Sequence, residues 1–134
     1  MLQFSNPFGC KVIEESMERV VMETFISEDM LQPDGLLHGG MSAYLAETVA
    51  SHASRIGIDP EKDQVLGLEL SVSHLLPVEQ GDTVRSVATA KRRGKHIQVW
   101  DIEQYRLSDG KLFNTSRLTT FAKDVEKDGR CGNC

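Results

Sequence analysis

The chain has 134 residues, of which 40% are hydrophobic and 26% charged. That is the balance of an ordinary globule and the length of one domain, sufficient to bury about two thirds of the unfolded surface without staples. The net charge of −5 argues against nucleic acid as a partner, because phosphate contacts need clustered Lys and Arg.

The N-terminus shows no positively charged start followed by an apolar stretch, so no secretory signal is expected. Nowhere does an apolar run approach the ~20 residues that span a bilayer. Cytoplasm is the expected location. The segments "FGCKVIEES" at 8–16 and "ERVVMETFI" at 18–26 are rich in β-formers around a polar turn and predict a hairpin. Phe4, Phe8 and Met17 are apolar candidates for a pocket or the core. Residues 27–37 read as loop, carrying Pro33 and the Asp34-Gly35 turn signal.

From Gly40 to about Ile56 the pattern is helical. Met41, Leu45, Val49, His52 and Ile56 recur at spacings of three and four and define one face. The other face carries Gly40, Ala43, Glu47, Ser51 and Ser54: small side chains and one carboxylate. Gly57 and Pro60 supply the stop.

Four strand-like runs follow, at 64–78, 82–93, 96–108 and 111–123. In the first, Leu66, Leu68, Leu70, Val72 and His74 alternate onto one face. The second and third are joined through Gly94, and the third and fourth through the Asp109-Gly110 turn. Residues 124–134 read as a loose polar tail outside a single domain at 1–123. Cys131 and Cys134 form a CxxC in that tail, half of a zinc site, and no metal is expected there. With Cys10 they make three cysteines, an odd, sparse count that suits a reducing compartment. Strands gathered around one long helix predict an α+β fold with a curled antiparallel sheet.

The chemistry concentrates in "LQPDGLLHGGMSAYLAETVAS", residues 31–51. His38-Gly39-Gly40 stands where the helix begins. Free amides and the helix dipole favour negative charge there, and the glycines allow close approach. The segment reads either as an oxyanion or anion site or as a glycine-rich turn with no chemical role. Glu47 and Ser51, at i and i+4, are neighbours on one face. Glu47 reads either as an ordinary solvated glutamate or as a reactive carboxylate. Gly39 and Glu47 are eight residues apart, roughly 12 Å along a helix. If both serve one reaction they come from two copies of the chain, with the two helices paired antiparallel.

Gln32, "GLLHGG", "LAETVAS", "VLGLELSVSH", "VW" at 99–100 and "SRLTT" at 116–120 together resemble the hotdog-fold acyl-CoA thioesterases. The branch is the PaaI-like one that includes 1,4-dihydroxy-2-naphthoyl-CoA and Arthrobacter-type 4-hydroxybenzoyl-CoA thioesterases. The resemblance runs from about residue 7 to residue 122. It implies a curled sheet wrapped around the helix and hydrolysis of an aromatic acyl-CoA to free acid and CoA. Glu47 would be nucleophile or general base, the Gly39 amide the oxyanion donor, and Gln32, His38 and Ser51 supporting groups. Gly67, His74, Leu75, Leu76 and Pro77 would contact CoA, as would Arg92, Arg93, Gly94, Lys95, His96 and Ile97. The three basic residues of that last segment agree with the phosphates CoA carries. The same segment also reads as a basic solvated turn, and His74 as a core histidine.

The resemblance implies no cofactor beyond the CoA of the substrate itself. It implies a homodimer that completes the sites, with dimers paired into a homotetramer. The naphthoyl branch usually has a helix before the first strand, and here the strand comes almost at once, so an acyl pocket that is more open or differently lined is expected. The alternatives are fatty or broad acyl-CoA hydrolysis, hydration of enoyl thioesters, and non-catalytic acyl-CoA binding.

Overall fold

The computed structural model describes residues 7–124. Strands β1 (Lys11–Glu15) and β2 (Arg19–Phe25) form the predicted hairpin. A 3-10 turn at Glu28–Met30 leads to helix α1 (Gly39–Arg55). Strands β3 (Asp63–His74), β4 (Thr83–Arg93), β5 (Ile97–Arg106) and β6 (Lys111–Asp124) complete the chain. They form one six-stranded sheet in the order β1-β2-β4-β5-β6-β3, antiparallel at every step. Asp124, placed in the tail by the sequence, pairs with Asp63 as the last residue of β6. Phe4, Cys131 and Cys134 lie outside the described residues.

Alternation decides which side of the sheet meets the helix. Val20, Met22, Val84, Ala88, Trp100, Ile102 and Leu118 point inward and are buried. They pack against Leu45, Ala46, Val49, Ala50 and Ala53 of α1. Alanines on the buried stripe let the helix sit close to the sheet. Leu45 and Val49 are fully buried, each worth about 1.5–3 kcal/mol of transfer free energy.

Two further expectations fail for identifiable reasons. Ser54, expected on the open face, is buried. Its hydroxyl donates to Ala50 O at 2.8 Å and accepts from Thr120 Oγ1 at 3.2 Å. Small polar residues bury cheaply when the helix backbone and a strand hydroxyl satisfy them. The single face expected for Leu66, Leu68, Leu70, Val72 and His74 is also broken. A register shift between Gly67 and Glu69 turns β3 over relative to β6. Leu70, Val72 and His74 therefore stand opposite Leu118, Ser116 and Asn114, all buried, whereas Leu66 stands opposite Phe121. One extra residue exchanges the faces of everything beyond it.

The helix end is held from the sheet. Arg93 donates to Met17 O at 2.9 Å, to Ala53 O at 3.2 Å and to Ile56 O. Its guanidinium lies 5.4 Å from the Trp100 ring centre, and burial pushes its pKa below the usual arginine value. A cation at the last carbonyls of a helix complements both the open acceptors and the dipole.

Candidate active site

The approach to α1 is a tight loop. Leu31 bridges to Leu37 and Leu36 to Glu79. Gly35, at φ +90, turns the chain so that its amide donates to Gln32 O at 2.9 Å while the Gln32 amide donates to Leu36 O at 2.8 Å. A positive φ of that size is costly for any residue with a Cβ. Gln32 is thereby fixed just outside the helix start, half-buried, its Nε2 donating to Asp34 Oδ2 at 3.4 Å.

His38 is the N-cap. Its Nδ1 accepts from the Gly40 amide at 2.8 Å, the work usually done by Ser, Thr or Asp. Its carbonyl accepts from the Met41 and Ser42 amides at 2.9 and 3.2 Å. The Gly39 amide alone in this first turn has no hydrogen-bond partner among the described residues. The His74 ring lies beside Gly39, with Nε2 3.2 Å from the point where a Cβ would stand. A side chain at position 39 would push the imidazole away.

Two turns along, Glu47 projects from the exposed face of α1. Its Oε2 lies 3.0 Å from the point a Cβ on Gly67 would occupy. Gly67 is thus the floor beneath the carboxylate. Ser51, one turn further, is half-buried. Tyr44, one turn before Glu47 on the same exposed side, meets Phe8 edge-on with ring centres 5.3 Å apart.

The remaining sequence-predicted residues fall into two places. At the end of β3, the Leu75 and Leu76 amides both donate to Phe113 O, at 2.8 and 3.3 Å, and Pro77 O accepts from Arg106 at 2.7 Å. The side chains of Leu75 and Leu76 stay exposed. The other place is the β4–β5 turn, closed by the Gly94 amide donating to Ile97 O at 2.9 Å. A Cβ on Gly94 would meet that carbonyl at 2.7 Å. Arg92, Lys95, His96 and Ile97 are exposed there, with His96 Nδ1 3.4 Å from Ala122 O. Arg93 faces inward instead, on the carbonyls at the end of α1. Gln98 and Thr120 join this turn to Gly67 in one cross-strand row. Two strand spacings, about 10 Å, separate the basic turn from the floor under Glu47.

The structure therefore sets an amide and a carboxylate, both without a partner among the described residues, along one helix, with an imidazole flanking the helix start. Residues 34–113 match the thioesterase superfamily. The chain belongs to that superfamily and has its hotdog fold. It is a thioester hydrolase. The 1,4-dihydroxy-2-naphthoyl-CoA hydrolase of Listeria monocytogenes is 34% identical over 119 residues, 89% of this chain and 94% of that protein. An Arabidopsis thaliana 1,4-dihydroxy-2-naphthoyl-CoA thioesterase is 36% identical over 114 residues, 81% of this chain and 71% of that one. Among solved structures, a thioesterase from Haemophilus influenzae superposes with a TM-score of 0.80 at 33% identity, covering 88% of this chain and 80% of that one.

Sequence reasoning about this thioesterase passed over Asn114 and Tyr44. The signal for Asn114 was present: "NTS" at 114–116 puts polar residues at positions 114 and 116, which face the helix. Tyr44 lies one residue off the spacing of Gly40, Ala43, Glu47, Ser51 and Ser54, so the face of small side chains and one carboxylate does not include it.

Proposed function

We propose that this thioesterase hydrolyses an aromatic acyl-CoA to free acid and CoA, with the Glu47 carboxylate as the reacting group. The observation that carries the reading is the placement of Glu47. The carboxylate is exposed on α1, lies against Gly67, and has no ion pair or hydrogen bond among the described residues. A structural glutamate on a helix surface gains from a partner one turn away. This one has a glycine floor instead.

As general base, Glu47 takes a proton from water while the oxygen adds to the thioester carbonyl carbon. The oxyanion is held by the Gly39 amide. Collapse expels the CoA thiolate, which takes up the proton. As nucleophile, the same carboxylate adds directly, expels the thiolate and leaves a mixed anhydride for water to open. Gln32 and Ser51 orient the thioester or the water, and the His38 cap keeps the helix start in place. Arg92 and Lys95 receive the CoA phosphates.

Within one chain, Glu47 and Gly39 sit about 12 Å apart along the helix. The reaction therefore uses the Gly39 of one protomer and the Glu47 of its partner in a homodimer, and such dimers pair into a tetramer. The Listeria and Arabidopsis relatives, named for a hydroxylated naphthoyl thioester, support an aromatic acyl group. So does the Phe8–Tyr44 pair, which offers ring edges and faces beside the reacting helix. Other relatives are named only as esterases, which keeps fatty acyl-CoA in the panel to be tested.

The test is thiol release from a panel of aryl and fatty acyl-CoAs by wild type and Glu47→Gln. The expected outcome is a preference for aryl groups and a loss of at least ~10²-fold in kcat in the variant. Unchanged turnover by Glu47→Gln would remove the mechanism.

A further inference from the structure

Four residues stand in register across the sheet beneath the start of α1. Ser86 pairs with Gln104, Gln104 with Asn114, and Asn114 with His74, on β4, β5, β6 and β3 in turn. Ser86, Gln104 and Asn114 are 0% exposed. Polar side chains in the middle of a core cost free energy unless they are bonded, and apolar residues of similar size would fill the same space. The row has a direction. Gln104 Nε2 donates to Ser86 Oγ at 3.1 Å and to Ser42 O at 3.2 Å, in the first turns of the helix. Ser116 Oγ donates to Asn114 Oδ1 at 2.6 Å, which orients the amide. Asn114 Nδ2 then points at His74 Nδ1, 3.0 Å away.

An amide nitrogen offers a proton and no lone pair, so His74 Nδ1 is the acceptor in this contact. A neutral imidazole that accepts at Nδ1 carries its proton on Nε2. Nε2 is the His74 ring atom nearest the point a Cβ on Gly39 would occupy, 3.2 Å away, and it has no hydrogen-bond partner among the described residues. Two N–H donors, one from the backbone and one from a side chain, consequently stand at the same helix start.

We propose that Asn114 is a positioning residue for hydrolysis. It holds His74 in the Nε2–H tautomer so that the imidazole donates to the thioester oxygen beside the Gly39 amide as negative charge builds there. This rests on the reading of the helix start as the thioester site. It explains why buried Asn and Ser residues extend to the sheet edge where His74 sits. The second-layer partner sets which ring nitrogen bears the proton, and an imidazole held the other way would present a lone pair to an oxyanion.

The experiment combines tautomer measurement with a double-mutant cycle in the full chain. Nitrogen-15 NMR of the histidine side chains, with His74 assigned by its loss in His74→Gln, is expected to show His74 protonated on Nε2 in the wild type. Asn114→Leu is expected to leave His74 a mixture of tautomers. Its kcat should fall about 10-fold, less than the ~10²–10³ for complete loss of an oxyanion donor, with KM moved less than about 2-fold. Glutamine at 74 donates an N–H whatever its neighbour does. In the His74→Gln background, Asn114→Leu should therefore cause no further loss. A His74 proton on Nδ1 in the wild type overturns the proposal, and this arm stands even if Asn114→Leu fails to fold. An equal kcat loss in both backgrounds, or none in either, overturns it as well. Full turnover by Glu47→Gln would instead strike the underlying reading of the site, leaving the tautomer result to judge the hydrogen-bond row.

Discussion

At the scale of single residues, the site is shaped as much by absent side chains as by present ones. Gly67 illustrates this. A methyl group there would stand 3.0 Å from Glu47 Oε2, the far end of a flexible side chain, and 3.7 Å from Leu118. The carboxylate can swing aside, so folding tolerates the change while the reacting oxygen is displaced. Gly67→Ala should lower kcat about 10- to 100-fold, as misplacement by a fraction of an ångström to an ångström does. Its melting temperature should stay close to that of the wild type. Steady-state kinetics alongside a thermal melt checks both halves, and a variant with full turnover would mean that the carboxylate does not use this floor. Glu47 and the glycines at 39 and 40 were visible in the sequence, because a carboxylate on a small-residue helix face and a glycine pair at a helix start are local patterns. The Gly67 contact was not, because it joins residues twenty positions apart and depends on where an edge strand crosses the helix.

At the scale of elements, periodicity carried the fold and charge alone misled. The helix, the hairpin and the four later strands follow from repeats of 3.6 and 2, and their bounds agree to within a few residues. The bulge at Gly67–Glu69 was illegible, because an alternating run looks the same whether or not its partner strand skips a residue. The segment Arg92-Arg93-Gly94-Lys95 shows a related limit. Three cations in one turn read as one basic patch. The strand pleat separates them, leaving Arg92 and Lys95 exposed and sending Arg93 to the carbonyls of Met17, Ala53 and Ile56. Mutation should separate them too. Arg93→Ala leaves two part-buried carbonyls, those of Ala53 and Ile56, and the exposed Met17 carbonyl without a charged donor and should cost about 2–3 kcal/mol of stability. Arg92→Ala and Lys95→Ala should leave the melting temperature unchanged. They should raise KM for an acyl-CoA about 3- to 10-fold at low salt, an effect that shrinks as salt screens the phosphates. Denaturant titration and KM at two ionic strengths read these outcomes. A KM effect confined to Arg93 would reverse the assignment.

At the scale of the whole molecule, the two edges of the sheet differ. β1 is five residues long, irregular between Val12 and Glu14, and carries Lys11, Glu14 and Glu15, the short, charged edge that resists pairing. β3 is twelve residues long and exposes Leu66 at 38% and Leu68 at 57%. A long edge with exposed leucines is a template for another strand, and a second copy of β3 is its natural complement. Antiparallel pairing of two β3 strands would continue the sheet from one protomer into the next. It would also bring the two Glu47-bearing helix faces together, so that the carboxylate of one protomer reaches the Gly39 amide of the other. Lysines at 66 and 68 would place like charges on the matching edges of both copies, while each monomer keeps its core because both positions are already exposed. The double variant Leu66→Lys/Leu68→Lys should therefore sediment as the 14.9 kDa monomer, retain its cooperative melt, and lose at least ~10²-fold in turnover. Diluting the wild type through its dissociation range should lower specific activity in step with the loss of dimer. A folded monomer that turns over at the wild-type rate would show that one chain closes the 12 Å between its own glutamate and its own helix start, and the two-protomer site would fall with it.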